Sequence, residues 1–389
     1  MKNYIKKLAL MIPQVKRRYM ELEDLRGKIN TYETQRRQYR SCFQIERFSL
    51  NFNGRIDTEG KLLRLCCEPL LHFSGVNLYE SAEETIKIFA RERADIIAES
   101  VKFSLLNGLI LETERKFTSE CSKCTHFRKN YWGDGDGLIH YINLSMYPAP
   151  CQCRCIYCSA IGSGSLTAMA TVASYEKVFD VIDWAQKNGM IAEDAAWQVS
   201  SGEITIHPYK DKIFDLVKEQ AVTFFTNCFI YDEKIAANLG VNPRSQINLS
   251  IDAGTPETWH KVKGVDNFEI ILANLGRYFA SSARPGQITF KYIILPGIND
   301  NEEDYSRLIA IMKCLKINHL DISSDVSNKT NKYSLDPEQR EPLLRAAGAL
   351  TAMLYKNGMK SSMNVNAYSP EEAEKVVVLA DELVKSREV

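Results

Sequence analysis

The chain has 389 residues, 45% of them apolar, with 49 basic and 49 acidic side chains. That length exceeds one average domain, and a formal charge of zero removes any bulk electrostatic argument for nucleic acid or an acidic polymer as partner. No run of ~20 apolar residues is present to span a membrane, and the apolar run Leu8 to Ile12 leads straight into Lys16, Arg17 and Arg18, so no secretory signal is expected.

Residues 1–40 read as a long charged helix in which Leu8, Ile12, Val15, Tyr19, Leu22 and Ile29 form a seam at 4-3 spacing. Pro13 limits the helix ahead of it, and Arg26 interrupts the seam. Such a seam packs on the protein's own body or, in a sharper reading, self-associates with a second chain.

From Cys42 the composition changes. The stretches Cys42 to Phe52 and Asp57 to Cys67 read as two strands joined by a turn at Gly60, which brings Cys42 near Cys66. A helical stretch from Ala82 to Glu99 follows, and the segment closes at Cys121-Ser-Lys-Cys124. Residues 41–130 thus make a small α+β unit where Cys42, Cys66 or Cys67, Cys121 and Cys124 converge. Strand alternation sends Cys66 and Cys67 to opposite faces, so only one can join the others. Eleven cysteines grouped in this way suit metal sites better than a disulfide framework, and a reducing cytoplasm fits them.

After a linker at 125–138, carrying Gly133-Asp-Gly-Asp-Gly137, strand and helix signals alternate. Strands are expected at Ile139 to Leu144, Ala196 to Ser200, Val222 to Thr226, Gln246 to Ile251, Ile288 to Leu295 and His319 to Ser323. Helices are expected near 174–188, 209–220, 232–239, 266–281 and 302–315. Alternation of this kind specifies an α/β fold with a parallel sheet and outer helices, here a partial (β/α)6 TIM-like barrel over residues 131–335. Helices near 336–357 and 370–385, around a short strand at Met363 to Asn366, complete it as a C-terminal extension, residues 336–389.

The first strand leads into Cys151-Gln-Cys-Arg-Cys155-Ile-Tyr-Cys158. Cys151, Cys155 and Cys158 stand in a CxxxCxxC array, three thiolates where a closed iron-sulfur site commonly takes four. The competing chemistry is a zinc knuckle helped by Cys153. Zinc sites usually close with a fourth ligand at similar short spacing, and the next histidine is His207.

The array, with Tyr157 before its third cysteine, resembles the radical S-adenosylmethionine (SAM) superfamily. The resemblance implies a 4Fe-4S cluster on Cys151, Cys155 and Cys158, SAM on the iron that lacks a thiolate, and a 5'-deoxyadenosyl radical that takes a hydrogen atom from substrate. Further motifs are similar to the family's. Ser201-Gly202-Glu203 stands where GGE contacts the SAM amine, with serine replacing one glycine. Thr226-Asn227-Cys228 stands where Thr-Asn-Gly is usual. Ser250-Ile-Asp252 matches Ser-x-Asp, whose side chains lie near the SAM ribose and methionine parts; alternation would turn both Ser250 and Asp252 inward.

The 41–130 unit resembles the auxiliary-cluster module of the SPASM and twitch subgroup, although that module normally follows the barrel. It implies a second 4Fe-4S cluster on Cys42, Cys66, Cys121 and Cys124, with zinc as the rival. The expected activity is a radical SAM oxidation or modification of a sugar, a sugar conjugate or a peptide, fed by a flavodoxin- or ferredoxin-type electron donor. A zinc-binding scaffold without activity is the alternative. Cys228, a lone cysteine, is expected to be a buried small residue with no assigned role, a substrate contact at the barrel mouth being the sharper alternative. Asp321 and Asp325 are candidate substrate contacts, His207 is expected to shape its loop, His260 is expected to be structural, and His319 carries no assignment.

Overall fold

Alternating apolar residues decide which segments enter the sheet. Leu50 and Phe52, Ile142 and Leu144, Trp197 and Val199, and Val222 and Phe224 are all 0–1% exposed, and each pair brackets a polar residue. Such strands bury one face fully, at roughly 1.5–3 kcal/mol for each large apolar side chain.

The structure, a computed structural model, describes residues 21, 40–53, 63–64, 81–109, 128–129, 136–145, 150–158, 172–200, 202–325, 337–365 and 367–386. It divides into two units, one of residues 1–48, 65–73 and 87–138, the other of residues 49–64, 74–86 and 139–389.

The larger unit holds strands β1 (Ser49–Asn53), β2 (Leu63–Arg64), β3 (Ile139–Ser145), β4 (Ile191–Ser200), β5 (Ala221–Phe225), β6 (Gln246–Ser250), β7 (Ile288–Ile294), β8 (His319–Ser324) and β9 (Lys360–Met363). They form one sheet in the order β9-β8-β7-β6-β5-β4-β3-β1-β2. Eight strands run parallel, and β2 alone is antiparallel, against β1. Among the described residues the longer helices are α1 (Ala82–Leu109), α2 (Val172–Lys187), α3 (Lys210–Val217), α4 (Glu233–Val241), α5 (Pro256–Lys263), α6 (Phe268–Ser281), α7 (Glu302–Cys314), α8 (Pro337–Lys356) and α9 (Pro370–Lys385).

This is the expected α/β architecture, a partial barrel-type sheet, widened by one parallel strand at each side. The hairpin at β1 and β2 forms as the sequence suggests, but β1 also pairs in parallel with β3 and so joins the large sheet. The physical reason is burial: Leu50 and Phe52 on one face and Ser49 and Asn51 on the other are all nearly inaccessible, which a hairpin of a small separate module would not achieve. The last strand occupies Lys360–Met363 rather than Met363 to Asn366, because its pairing with β8 ends where the Asn364 N–H donates to the Ile322 carbonyl.

Helix boundaries follow their caps. Asp232, Thr255, Asn301 and Ser369 each accept a backbone N–H at the start of α4, α5, α7 and α9, and Gly264, at φ +69°, ends α5.

In the smaller unit, Arg40–Ser41 pairs antiparallel with Arg128–Lys129. Cys42 is buried there at the start of a short helical turn, Phe43–Glu46. Arg93 on α1 holds that turn by donating to the Ile45 and Glu46 carbonyls, both at 2.7 Å. Cys66, Cys67, Cys121, Cys124 and the seam of residues 1–40 lie outside the described residues. Among the described residues no helix is long and apolar enough to cross a membrane.

Candidate functional site

A parallel sheet delivers its loops to the ends where the strands finish, and the cysteine loop springs from that end of β3. Two neighbours hold it. On one side the Arg154 N–H donates to the Lys263 carbonyl (2.7 Å) and the Ile156 N–H to the Val262 carbonyl (3.0 Å), so the end of α5 acts as a docking strip. The fit is close: a Cβ at Gly264 would stand 3.0 Å from the Arg154 Cβ. On the other side the Glu203 N–H donates to the Pro150 carbonyl (3.1 Å).

Within the loop Cys151 is exposed, Cys155 and Cys158 are half-buried, and Cys153 is buried at 2%. The three thiols of the CxxxCxxC array are therefore the accessible ones, and the intervening cysteine turns inward. A hydrogen bond from the Cys153 thiol lowers Cys151 below the usual thiol range against the cost of burial. The same donor brings Cys155 down to about 6, with the Lys263 ammonium helping and burial opposing. Cys153 itself is driven far up by those two bonds and stays a thiol. Thiolates are the form that binds iron, so the lowering at Cys151 and Cys155 favours the ligand form at those two positions. Among the described residues no three His, Cys, Asp or Glu side chains converge as a single metal ion would require; a four-iron cluster is a wider core.

Behind the loop lies a charged pin that the sequence did not reveal. Lys263, 4% exposed, donates from Nζ to the Asp252 carboxylate (2.5 Å), the Tyr157 hydroxyl (2.5 Å) and the Ser250 carbonyl (2.8 Å). The Tyr157 hydroxyl in turn donates to Asp252 Oδ2 (2.5 Å). Burial, with Asp252 adding, pushes the Tyr157 hydroxyl well up, so it remains a neutral donor. Asp252 Oδ1 accepts the Ile293 N–H (2.6 Å), and Asn299 Nδ2 donates to the Asp252 carbonyl (2.9 Å). In a sequence, Lys263 looks like one more basic residue at a helix end.

Asp252 differs from its expected placement. Strand β6 stops at Ser250 and Asp252 takes φ +47°, so strand alternation no longer governs it. Its carboxylate is fully buried and engaged by protein donors, while Ser250 remains half-exposed. Tyr157 belongs to the same pin.

Glu203 is also fully buried. Its Oε1 accepts the Thr205 N–H (3.0 Å), the Thr205 hydroxyl (2.8 Å) and the Thr226 hydroxyl (2.7 Å), and its Oε2 accepts the Asn227 N–H (2.6 Å). Burial raises its pKa and the donors from Asn227, Thr205 and Thr226 oppose that rise. The carboxylate thus ties the end of β4 to the end of β5. Gly202 beside it is exposed at φ +46°, leaving backbone accessible; Ser201 lies outside the described residues.

Asn227 completes the ring around the loop. Its Nδ2 lies 3.4 Å from Cys153 Sγ, 3.8 Å from Cys151 Sγ and 3.3 Å from Gln152 Oε1. Cys228, at φ +57°, is 0% exposed, and burial lifts its thiol well up. It is packed under the strand ends and is no thiol at the mouth of the sheet. His207 accepts the Tyr209 N–H on Nδ1 (3.1 Å), the loop-shaping role expected of it. His260 is exposed beside Asp266 (2.6 Å), and His319 is exposed. Asp321 accepts from Ser362 (3.2 Å) and Asn364 (2.8 Å), and Asp325 is half-buried.

Comparison with known proteins places residues 150–309 in a match to the model of the radical SAM superfamily. A protein of Helicobacter pylori named UPF0026 protein is 22% identical over 190 residues, covering 47% of this chain and 60% of its own length. Among solved structures, Streptococcus suis SuiB bound to precursor peptide SuiA gives a TM-score of 0.43 at 12% identity, covering 70% of this chain and 54% of SuiB. A radical SAM methyltransferase from Sphaerobacter thermophilus gives 0.38 at 15% identity, covering 57% and 64%. The chain therefore spans less than two thirds of the length of each of these proteins.

Proposed function

We propose, starting from a radical SAM superfamily domain at residues 150–309, that this protein is an enzyme in which Cys151, Cys155 and Cys158 hold a 4Fe-4S cluster and SAM binds the iron they leave open. The observation that carries the proposal is the thiol loop itself, three accessible thiols fixed at the strand ends with the fourth thiol turned inward. When bound, the reduced cluster supplies the electron that splits SAM into methionine and a 5'-deoxyadenosyl radical able to take hydrogen from substrate.

The chain's own residues do the positioning. Lys263, Asp252 and Tyr157 fix the Cys155–Cys158 half of the loop. Asn227 directs an amide toward the Cys151–Cys153 half, and N–H groups near thiolates tune both their basicity and the potential of iron they hold. The accessible backbone at Gly202 and the half-exposed Ser250 are the candidates for SAM contact, since Glu203 and Asp252 are occupied.

The finer reading is a net oxidation or modification of a sugar, sugar conjugate or peptide in a reducing cytoplasm. A flavodoxin- or ferredoxin-type protein would donate electrons, and a second 4Fe-4S cluster on Cys42, Cys66, Cys121 and Cys124 would exchange an electron with the substrate. Anaerobic reconstitution tests the proposal. Iron and sulfide near eight each, with 5'-deoxyadenosine formed from SAM and lost when Cys151, Cys155 and Cys158 are together changed to alanine, is the expected result; stoichiometric zinc without SAM cleavage would refute it.

A further inference from the structure

The helices cover one face of the large sheet: Phe224 of β5 packs on Phe214 of α3 at 6.0 Å between ring centroids, and Tyr292 of β7 on Tyr305 of α7 at 5.9 Å. The opposite face has a different character. One level of it runs Asn51, Asn143, Gln198, Thr223, Gln246 across β1, β3, β4, β5 and β6, each residue the registered partner of the next. In a closed parallel barrel this interior is filled by branched apolar side chains. Here it carries four amides and a hydroxyl, and all but Asn51 are half-exposed.

The row does not satisfy itself. The Tyr141 hydroxyl donates to Gln198 Oε1 (2.6 Å) and Gln246 Nε2 donates to Thr223 (3.2 Å), which among the described residues leaves Gln198 a donor and Gln246 an acceptor to offer. Asn143 Oδ1 and, one level below on β1, Ser49 Oγ are buried polar atoms with no partner among the described residues. Buried polar atoms are costly unless bonded, so a row of this kind is matched to something that brings hydrogen bonds.

We propose that this row is the substrate-recognition surface and that its ligand is a neutral glycosyl unit, a deepening of the activity proposed above on which it rests. Hydroxyls both donate and accept, as amides do, and a sugar ring offers several in one plane. The five residues of the row carry no charge; Asn51 at its edge is the registered partner of Arg64, and further along the sheet Lys291 and Asp321 are registered partners of opposite sign. Half-exposed Tyr141 and Phe225 offer apolar faces for the C–H side of such a ring. A peptide strand would instead need a free sheet edge and apolar pockets, which an inner row does not supply. Asn143 lies two residues before the end of β3, so the row sits only ~7 Å below the end from which the thiol loop springs.

The test is saturation-transfer NMR on the anaerobically reconstituted protein saturated with SAM, with methyl α-D-glucopyranoside and methyl N-acetyl-β-D-glucosaminide as probes and trialanine as control. Transfer to a glycoside but not to trialanine is expected, weakened about tenfold or more in Gln198→Leu and in Asn143→Leu. Asn143→Leu should melt at or above the wild-type temperature, because an unsatisfied polar atom has been replaced by an apolar one, whereas Gln198→Leu takes the acceptor from the Tyr141 hydroxyl and should melt somewhat lower while remaining folded. Transfer to trialanine alone, to no probe, or unchanged in both folded variants would overturn the inference. So would glycoside transfer seen only without SAM, which would make the row a site for SAM's own ribose. Glycoside binding by a protein that cleaves no SAM would leave this inference standing and remove the activity on which it was built.

Discussion

Changing Lys263 to methionine removes the buried cation while keeping most of the side-chain volume. Asp252, fully buried, would keep the Ile293 N–H and the Tyr157 hydroxyl but lose its charge partner. Breaking a buried pair from one side costs roughly 3–5 kcal/mol, because the stranded charge has no water to turn to. For a unit of this size that is a fall in melting temperature on the order of 10 °C. The double variant Lys263→Met with Asp252→Asn discharges the stranded carboxylate, so it should cost less than the sum of the two single changes by more than ~1 kcal/mol. Chemical denaturation of the metal-free protein measures all three.

The sign of the pH dependence follows from the pair. Burial pulls the Lys263 ammonium down, but Asp252, with Cys155 beside it, lifts it above its ordinary value overall. A raised ammonium contributes stability that is complete below the unfolded value of ~10.4 and is lost only as pH rises through the folded value. The part of the cost that comes from the Lys263–Asp252 pair should therefore persist up to about pH 9, and the part that comes from Cys155, which Lys263 helps bring down to about 6, should grow as pH rises above that value. A methionine variant within ~1 kcal/mol of wild type, or strict additivity with Asp252→Asn, would refute the pin.

Other consequences are open to direct test. In the metal-free protein Cys155 should react with iodoacetamide with a midpoint at about pH 6, and Cys153→Ala should move that midpoint up toward the ordinary thiol range, as mass spectrometry at each cysteine would read. A Cβ at Gly254 would stand 2.0 Å from the Asp304 carbonyl oxygen, so Gly254→Ala should cost ~3 kcal/mol or more in thermal denaturation. Glu203→Gln puts an amide donor among four donors, and should weaken the tie between β4 and β5 by ~1–3 kcal/mol and speed iron loss to a chelator. Changing Cys121 and Cys124 to alanine should lower iron by about half yet leave SAM cleavage intact, as iron assay and deoxyadenosine chromatography would show.

The sheet was legible because strand and helix signals alternate from Ile139 to Ser323; the caps that fix the helix starts, Asp232, Thr255, Asn301 and Ser369, emerged only from the structure. Strand β1 escaped assignment to the sheet because its partner β3 is some 90 residues away, and a local hairpin signal with β2 was equally true. The thiol array was read directly from spacing. What spacing could not convey was where the side chains between motifs turn. Lys263 is an exposed-looking lysine until α5 is docked on the loop, and Asp252 leaves strand alternation through a left-handed backbone that no residue type signals. The inward turn of Cys153 likewise comes from the loop's two anchors and not from its sequence.

The chemistry of this protein turns on which thiols of one loop carry iron. Four single variants, Cys151→Ala, Cys153→Ala, Cys155→Ala and Cys158→Ala, should be reconstituted side by side and assayed for 5'-deoxyadenosine release from SAM under dithionite. Loss in the first, third and fourth with clear retention in Cys153→Ala is the expected result. An inactive Cys153→Ala beside an active variant at any of the other three positions would contradict it.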